Sequence, residues 1–121
     1  MIKKVEGTKT TPRVDFINGY MLIEGRSIPF ADPGFYNSLV KMVREYAANP
    51  ASLTTIEINF ECINAYSKRS LMQVFRILEE MYNNGNIVVI NWVYNEEDET
   101  MLELGTIYSS LVKVPFNFLI K

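Results

Sequence analysis

The chain has 121 residues and a mass of 14.0 kDa, and 48% of its residues are hydrophobic, which gives one domain a core large enough to fold unaided and leaves no room for a second. Its 12 basic and 14 acidic side chains are mixed along the sequence to a net charge of -2, so no basic stripe exists to neutralise a nucleic-acid backbone, and no run approaches the roughly 20 apolar residues of a membrane span. There is no His and one Cys, Cys62, which removes an internal disulfide, a Ser-His or Cys-His nucleophile pair and a thiolate-imidazole zinc site.

The opening Met1-Ile2-Lys3-Lys4-Val5-Glu6 lacks the apolar run of a secretory signal, so a cytoplasmic protein is expected. Residues 10 to 17 alternate in character toward Val14 and Phe16, Asn18-Gly19 follows, and Tyr20-Met21-Leu22-Ile23 begins a second apolar run. Because Asn-Gly tolerates the positive φ angles of a two-residue turn, this reads as an antiparallel hairpin. Gly25 to Phe30 reads as a loop. Asp32-Pro33 fits a helix N-cap with proline at the first helical position, and Tyr36, Leu39, Val40, Val43, Tyr46 and Ala47 then recur at helical spacing to about Ala48. Asn49-Pro50 stops that helix, and Leu53 to Phe60 alternates Ile56, Ile58 and Phe60 against Glu57 and Asn59, as a strand does.

A second helix starts near Ser67, with Leu71, Val74, Phe75, Leu78, Met81 and Tyr82 on one face and Lys68, Arg69, Arg76, Glu79 and Glu80 on the other. Asn83-Asn84-Gly85 ends it. Ile87-Val88-Val89-Ile90, continuing through Trp92 and Tyr94, reads as a strand inside the sheet and covered on both faces. After the acidic run Glu96-Glu97-Asp98-Glu99, a third helix carries Met101, Leu102, Leu104, Ile107, Tyr108 and Leu111, and Pro115 to Ile120 supplies the last strand. The order ββαβαβαβ predicts an α/β domain over residues 1–121, with a mixed sheet, an N-terminal hairpin and parallel later strands.

The stretch with most functional content is the crossing Phe60-Glu61-Cys62-Ile63-Asn64-Ala65-Tyr66-Ser67-Lys68-Arg69. Two readings of it stand side by side. In one, Asn64 or Ser67 caps the second helix. In the other, a hydroxyl there is exposed beside the free amides and positive dipole end of a helix, where a phosphate is well received and adds about two negative charges. The site also follows a parallel strand, the edge at which open α/β sheets place their ligands. Tyr66 reads either as an exposed binding anchor or as a lid on the adjacent strand. Cys62 reads as a small buried hydrophobe. Glu96 to Glu99 read first as acids complementing a helix dipole, second as a patch facing a partner, and third as Mg²⁺ ligands of a small enzyme using Asp98 and Glu99. With neither a GxGxxG nor a GxxxxGK[ST] loop, no nucleotide cofactor is expected, nor any bound metal.

Several separated motifs occur in order: Glu6-Gly7-Thr8-Lys9-Thr10-Thr11-Pro12, Gly25-Arg26-Ser27-Ile28-Pro29, Phe35-Tyr36, Asn91-Trp92-Val93-Tyr94 through Asp98, Met101-Leu102-Glu103-Leu104-Gly105, and Pro115-Phe116. In these the chain resembles the SiaC family of bacterial regulatory phosphoproteins, whose fold is similar to STAS domains and anti-sigma-factor antagonists. The resemblance implies a non-enzymatic, STAS-like regulator controlled by phosphorylation. A GHKL-type serine/threonine kinase modifies an Asn-Thr-Ser-Ser loop, a PP2C-type phosphatase reverses it, and the unmodified form binds and activates a diguanylate cyclase, with cyclic di-GMP and biofilm formation as output. The alternative partner within the same class is a GHKL-type kinase engaged by an anti-sigma-factor antagonist.

Aligned on that loop, Asn64 matches the family's Asn and Ser67 its second Ser, whereas Ala65 stands at the phosphoacceptor Thr and Tyr66 replaces the first Ser. An Ala cannot be phosphorylated. The chain is then a constitutively unmodified member, one whose acceptor has moved to Ser67 or Tyr66, or one altered at that position; the simultaneous Tyr66 favours natural divergence. Partner contact is assigned to Asn64, Ala65, Tyr66, Ser67, Lys68 and Arg69, with the exposed face of the second helix.

Overall fold

In the computed structural model, which describes residues 2–29 and 34–121, the elements follow as β1 (Ile2–Val5), β2 (Arg13–Ile17), β3 (Tyr20–Ser27), α1 (Gly34–Ala47), β4 (Leu53–Ile63), α2 (Ala65–Asn83), β5 (Ile87–Tyr94), α3 (Glu99–Leu111) and β6 (Phe116–Ile120). The strands form one sheet in the order β1-β2-β3-β4-β5-β6, antiparallel between the first three and parallel from β3 onward. The Asn18-Gly19 turn has positive φ at both residues, as the hairpin between β2 and β3 requires. Gly19 also touches β4: its carbonyl accepts the Thr55 amide at 2.7 Å, and a Cβ there would lie 2.5 Å from the Leu53 carbonyl oxygen.

Each connection from β3 to β6 is a strand-helix-strand unit that steps one place in the same direction. Right-handed crossovers of that kind bring all their helices to one face. The core agrees. Val14, Phe16, Met21, Ile23, Ile56, Ile58, Phe60, Val88, Ile90 and Trp92 all come from that face and pack with Leu39, Val43, Leu71, Val74, Phe75, Leu78 and Tyr108 of the helices. The opposite face carries Arg13, Asp15, Glu24, Glu57, Asn59 and Asn91, with Arg13 placed 3.3 Å from Glu24 and 3.7 Å from Asp15. β5 is therefore interior in the sheet but covered by helices on one face only, which corrects the expectation of cover on both. Val89 and Asn91 remain half-buried.

Other differences have physical causes. β1 was not expected, because four residues that include Lys3 and Lys4 carry too short an apolar pattern to read as a strand. Gly25 to Ser27, expected as loop, belong to β3 through an irregularity between Gly25 and Arg26 that pairs Arg26 with Cys62 and Ser27 with Ile63. The same pairing carries β4 three residues beyond Phe60. The expected Asp32-Pro33 cap, and Phe30 at the end of the expected loop, lie outside the described residues. Of the expected core positions, Ile107 and Leu111 are exposed because α3 buries only Met101, Gly105 and Tyr108, and Tyr82 is exposed at the C-terminal end of α2.

Candidate functional site

The crossing from β4 to α2 is made by a single residue, Asn64, at the C-terminal edge of the parallel strands. Its backbone is extended, its Oδ1 accepts the Ser67 amide at 2.9 Å, and its carbonyl accepts the Lys68 amide at 3.0 Å, so Asn64 is the N-cap and α2 begins two residues before the expected Ser67. Its amide donates to the Ser27 carbonyl at 2.9 Å and its Nδ2 to the Pro29 carbonyl at 3.3 Å, which fixes the cap to the end of β3.

With Asn64 as the cap, Ser67 is the third helical residue and turns inward. It is fully buried, which excludes the reading of an exposed hydroxyl here and leaves the capping one, with Asn64 as the cap. Its Oγ accepts from Ser27 Oγ at 2.8 Å and donates to the Ser27 carbonyl at 3.0 Å. The Tyr36 hydroxyl lies 2.6 Å from Ser27 Oγ and completes the network by donating to it, since the Ser27 proton is already committed to Ser67. Burial raises the Tyr36 phenol above its ordinary pKa, with the hydrogen bonds to the two serines acting the opposite way. Tyr66 is half-buried with its ring edge-on to Tyr36, centroids 6.2 Å apart, so it covers the network as a lid.

What remains exposed on this turn is Ala65, Lys68 and Arg69. There is no acid in the first turn of α2, and the amides of Ala65 and Tyr66 precede the first intrahelical bond, so the positive dipole end carries further positive charge. Beside it is a cleft of about 210 Å³ lined by Glu61, Cys62, Ile63, Lys68, Asp98, Thr100, Met101 and Leu104. Cys62 is half-buried on its wall, not enclosed in the core as expected.

α3 closes the far side. Asp98 Oδ1 accepts the Met101 amide at 3.0 Å and so acts as an N-cap; Glu99 is the one acid in the first turn, while Glu96 and Glu97 stand in the preceding turn. Among the described residues no three acid or Cys side chains are arranged to hold a metal ion. Trp92 Nε1 donates to the Met101 carbonyl at 2.9 Å, and Gly105 lies directly on the indole, where a Cβ would fall 2.5 Å from Cδ1. The Tyr108 hydroxyl donates to the Lys68 carbonyl at 2.7 Å, tying α3 to the first turn of α2, and burial raises its pKa.

Ser27, Tyr36 and Tyr108 thus organise the site without having been singled out as site residues. Their sequence signal was indirect: Ser27 and Tyr36 fall within the family-like motifs, and nothing in the spacing of α3 marks the Tyr108 hydroxyl.

The family model described as SiaC family regulatory phosphoprotein matches residues 5–121. Apo-SiaC from Pseudomonas aeruginosa has a similar fold, with a TM-score of 0.89 at 20% identity over 98% of each chain. A chain in the crystal structure of the diguanylate cyclase SiaD in complex with its activator SiaC, from the same organism, gives 0.91 at 21% identity over 98% of this chain and 99% of that one. A protein of Pseudomonas aeruginosa strain UCBPP-PA14 is 23% identical over 114 residues, covering 93% of this chain and 90% of its own.

Proposed function

Because this chain belongs to the SiaC family of regulatory phosphoproteins, we propose that it regulates a protein partner by binding, without turnover of its own, and that the partner is a diguanylate cyclase. The relative SiaC is the activator of the cyclase SiaD with which it crystallised, and that complex contains a chain of this fold. On this reading residues 1–121 act as one cytoplasmic regulatory domain whose output is cyclic di-GMP and, through it, biofilm formation.

The observation that carries the reading is the surface of the first turn of α2, where Ala65, Lys68 and Arg69 are exposed around the Asn64 cap while Ser67 is buried beneath them. A basic, hydroxyl-poor turn with free amides suits an acidic surface on a partner. Asn64 and Ser67 then set the shape of the docking turn, Tyr66 forms its apolar shoulder, and Ala65, Lys68 and Arg69 make the contact.

Control by a GHKL-type kinase and a PP2C-type phosphatase needs a hydroxyl at this turn. Ala65 has none, the Ser67 hydroxyl is enclosed, and Tyr66, the remaining candidate acceptor, offers a phenol where a serine/threonine kinase takes an aliphatic alcohol. We therefore assign this member to the unmodified, binding-competent state. The test is titration of the protein into a purified diguanylate cyclase with cyclic di-GMP as readout. Increased product is expected; unchanged activity together with no detectable complex would sink the assignment, and recovery of a GHKL-type kinase in its place would move the protein to the anti-sigma-factor-antagonist mode.

A further inference from the structure

β6 is the last strand of the sheet, and its outer rim is unlike that of β1. The Pro115 carbonyl accepts the Ile90 amide and the Lys121 amide donates to the Tyr94 carbonyl, so the odd-numbered residues of this stretch turn their backbone groups toward β5. The N–H and C=O groups of Phe116, Phe118 and Ile120 therefore point away from the sheet. Edge strands are ordinarily blunted by charge, proline or brevity. β1 has only four residues, two of them Lys3 and Lys4, whereas β6 reads Phe116-Asn117-Phe118-Leu119-Ile120 with no charge and no proline inside it. Three of its side chains are exposed apolar groups: Phe118, Leu119 and Ile120.

We propose that two copies of this chain pair through β6, antiparallel about a two-fold axis at Phe118, to form one continuous sheet. The occupant is argued from the strand itself. In that register Phe118 faces the partner's Phe118 and Phe116 faces the partner's Ile120, so every outward residue exchanges both its N–H and its C=O. Shifting the axis to Asn117 or Leu119 leaves part of the set unpaired. An uncharged strand meets its own copy without like-charge repulsion, and a two-fold operation brings identical surfaces together as closed dimers require. Asn117 then stands opposite the partner's Leu119 on the face without helices, and Lys121 opposite the partner's Pro115, so no two charges of one sign are set against each other. A five-residue strand pair is smaller than the standard interface of about 1,600 Å², and a dissociation constant on the order of 0.1 mM is expected.

Sedimentation equilibrium of the full chain up to about 1 mM tests this, a range that spans association of that strength. A monomer-dimer equilibrium is expected for the wild type, and monomer alone for Phe118→Lys, which opposes two ammonium groups across the axis, and for Phe118→Pro, which removes an outward N–H without touching the β5 ladder. Circular dichroism checks that both variants fold. In a Cys62→Ser background, Phe118→Cys should cross-link under mild oxidation, its Cα atoms being about 5.5 Å apart across the axis. Ile120→Cys should not, because the equivalent residue of the partner is offset by four residues, about 13 Å. The proposal is overturned by a monomer at all concentrations, by a dimer that both Phe118 variants retain, or by cross-linking at 120 in preference to 118. A monomer whose Phe118→Lys variant loses cyclase binding would assign the edge to the partner and overturn it equally.

Discussion

Ser27 Oγ lies 2.8 Å from Ser67 Oγ in a fully buried position, joining the end of β3 to the first turn of α2. Ser67 returns its own proton to the Ser27 carbonyl at 3.0 Å, so the pair is closed on itself, with the Tyr36 phenol as its third member. The hydroxyl at 67 is thereby an internal fastener of the turn that opens α2.

Replacing it should show this. Ser67→Ala leaves two hydroxyl protons, those of Ser27 and Tyr36, with one bond between them and one proton without an acceptor in an enclosed site, and should cost about 1–3 kcal/mol, measured as a shift in the urea midpoint. Ser67→Asp would place a carboxylate against the Ser27 carbonyl and should cost more, unfolding the protein or melting the first turn of α2. An aspartate variant as stable as the wild type would refute the enclosed geometry.

Ala65 is the first helical residue and exposed, so Ala65→Thr should fold with a stability change within about 1 kcal/mol. It should also become a substrate for a family kinase, with phosphate found by mass spectrometry on the peptide that contains residue 65. The wild type should remain unmodified at Ser67 under the same conditions; phosphate there would contradict the burial described above.

Charge reversal at Lys68 and Arg69 should act on stability and binding with opposite signs. Both side chains are exposed near the positive end of α2, so Lys68→Glu with Arg69→Glu should stabilise the fold by about 0.3–1 kcal/mol per site at low ionic strength. If the proposed cyclase complex forms through this turn, the same change should weaken it, and most of that loss should disappear at high salt, which calorimetry at two salt concentrations would reveal.

Gly105→Ala should be destabilising although it raises helix propensity, because the new methyl would fall 2.5 Å from the Trp92 indole. Overpacking of this kind costs about 1–3 kcal/mol. The tryptophan emission should shift as the bond from Nε1 to the Met101 carbonyl is strained, and an unshifted spectrum with unchanged stability would be the contrary result.

The pH dependence has a definite sign at Glu79. Its carboxylate accepts the Lys113 amide at 2.8 Å and the Arg76 guanidinium at 2.9 Å, which holds its pKa below the ordinary 4.5. A lowered folded-state pKa contributes stability that is complete above the unfolded value and is lost as pH falls through the folded one. Glu79→Gln should therefore reduce stability near neutral pH, with the difference from wild type closing in acid. A difference that persists unchanged at low pH would exclude the linkage.

Local pattern made much of this fold legible. Asn18-Gly19, the helical face of α2 and the β-branched run of β4 each announced their element, because each lies where backbone preference and burial agree. The misses lie where tertiary pairing decides. β1 exists because β2 offers it a ladder, and Gly25 to Ser27 are strand because Cys62 and Ile63 extend to meet them. At the site, the exposed charges Lys68 and Arg69 were legible from helical periodicity. The orientation of Ser67 was not, because it depends on which residue caps the helix, and two candidates were open.

The Asn18-Gly19 turn has a consequence for how the molecule acquires its shape in time. It joins β2 to β3 with almost no chain between them, whereas every later strand must wait for a helix-length crossover to close. Hairpins form in about 1–10 μs, and non-local parallel pairings are slower because loop closure precedes their contacts. Since the Gly19 carbonyl also receives Thr55, the turn provides the first anchor for β4 and sets the register in which the parallel half is laid down. A lesion at Gly19 should accordingly slow refolding as well as lower stability, while one at β6, the strand added last, should mainly accelerate unfolding.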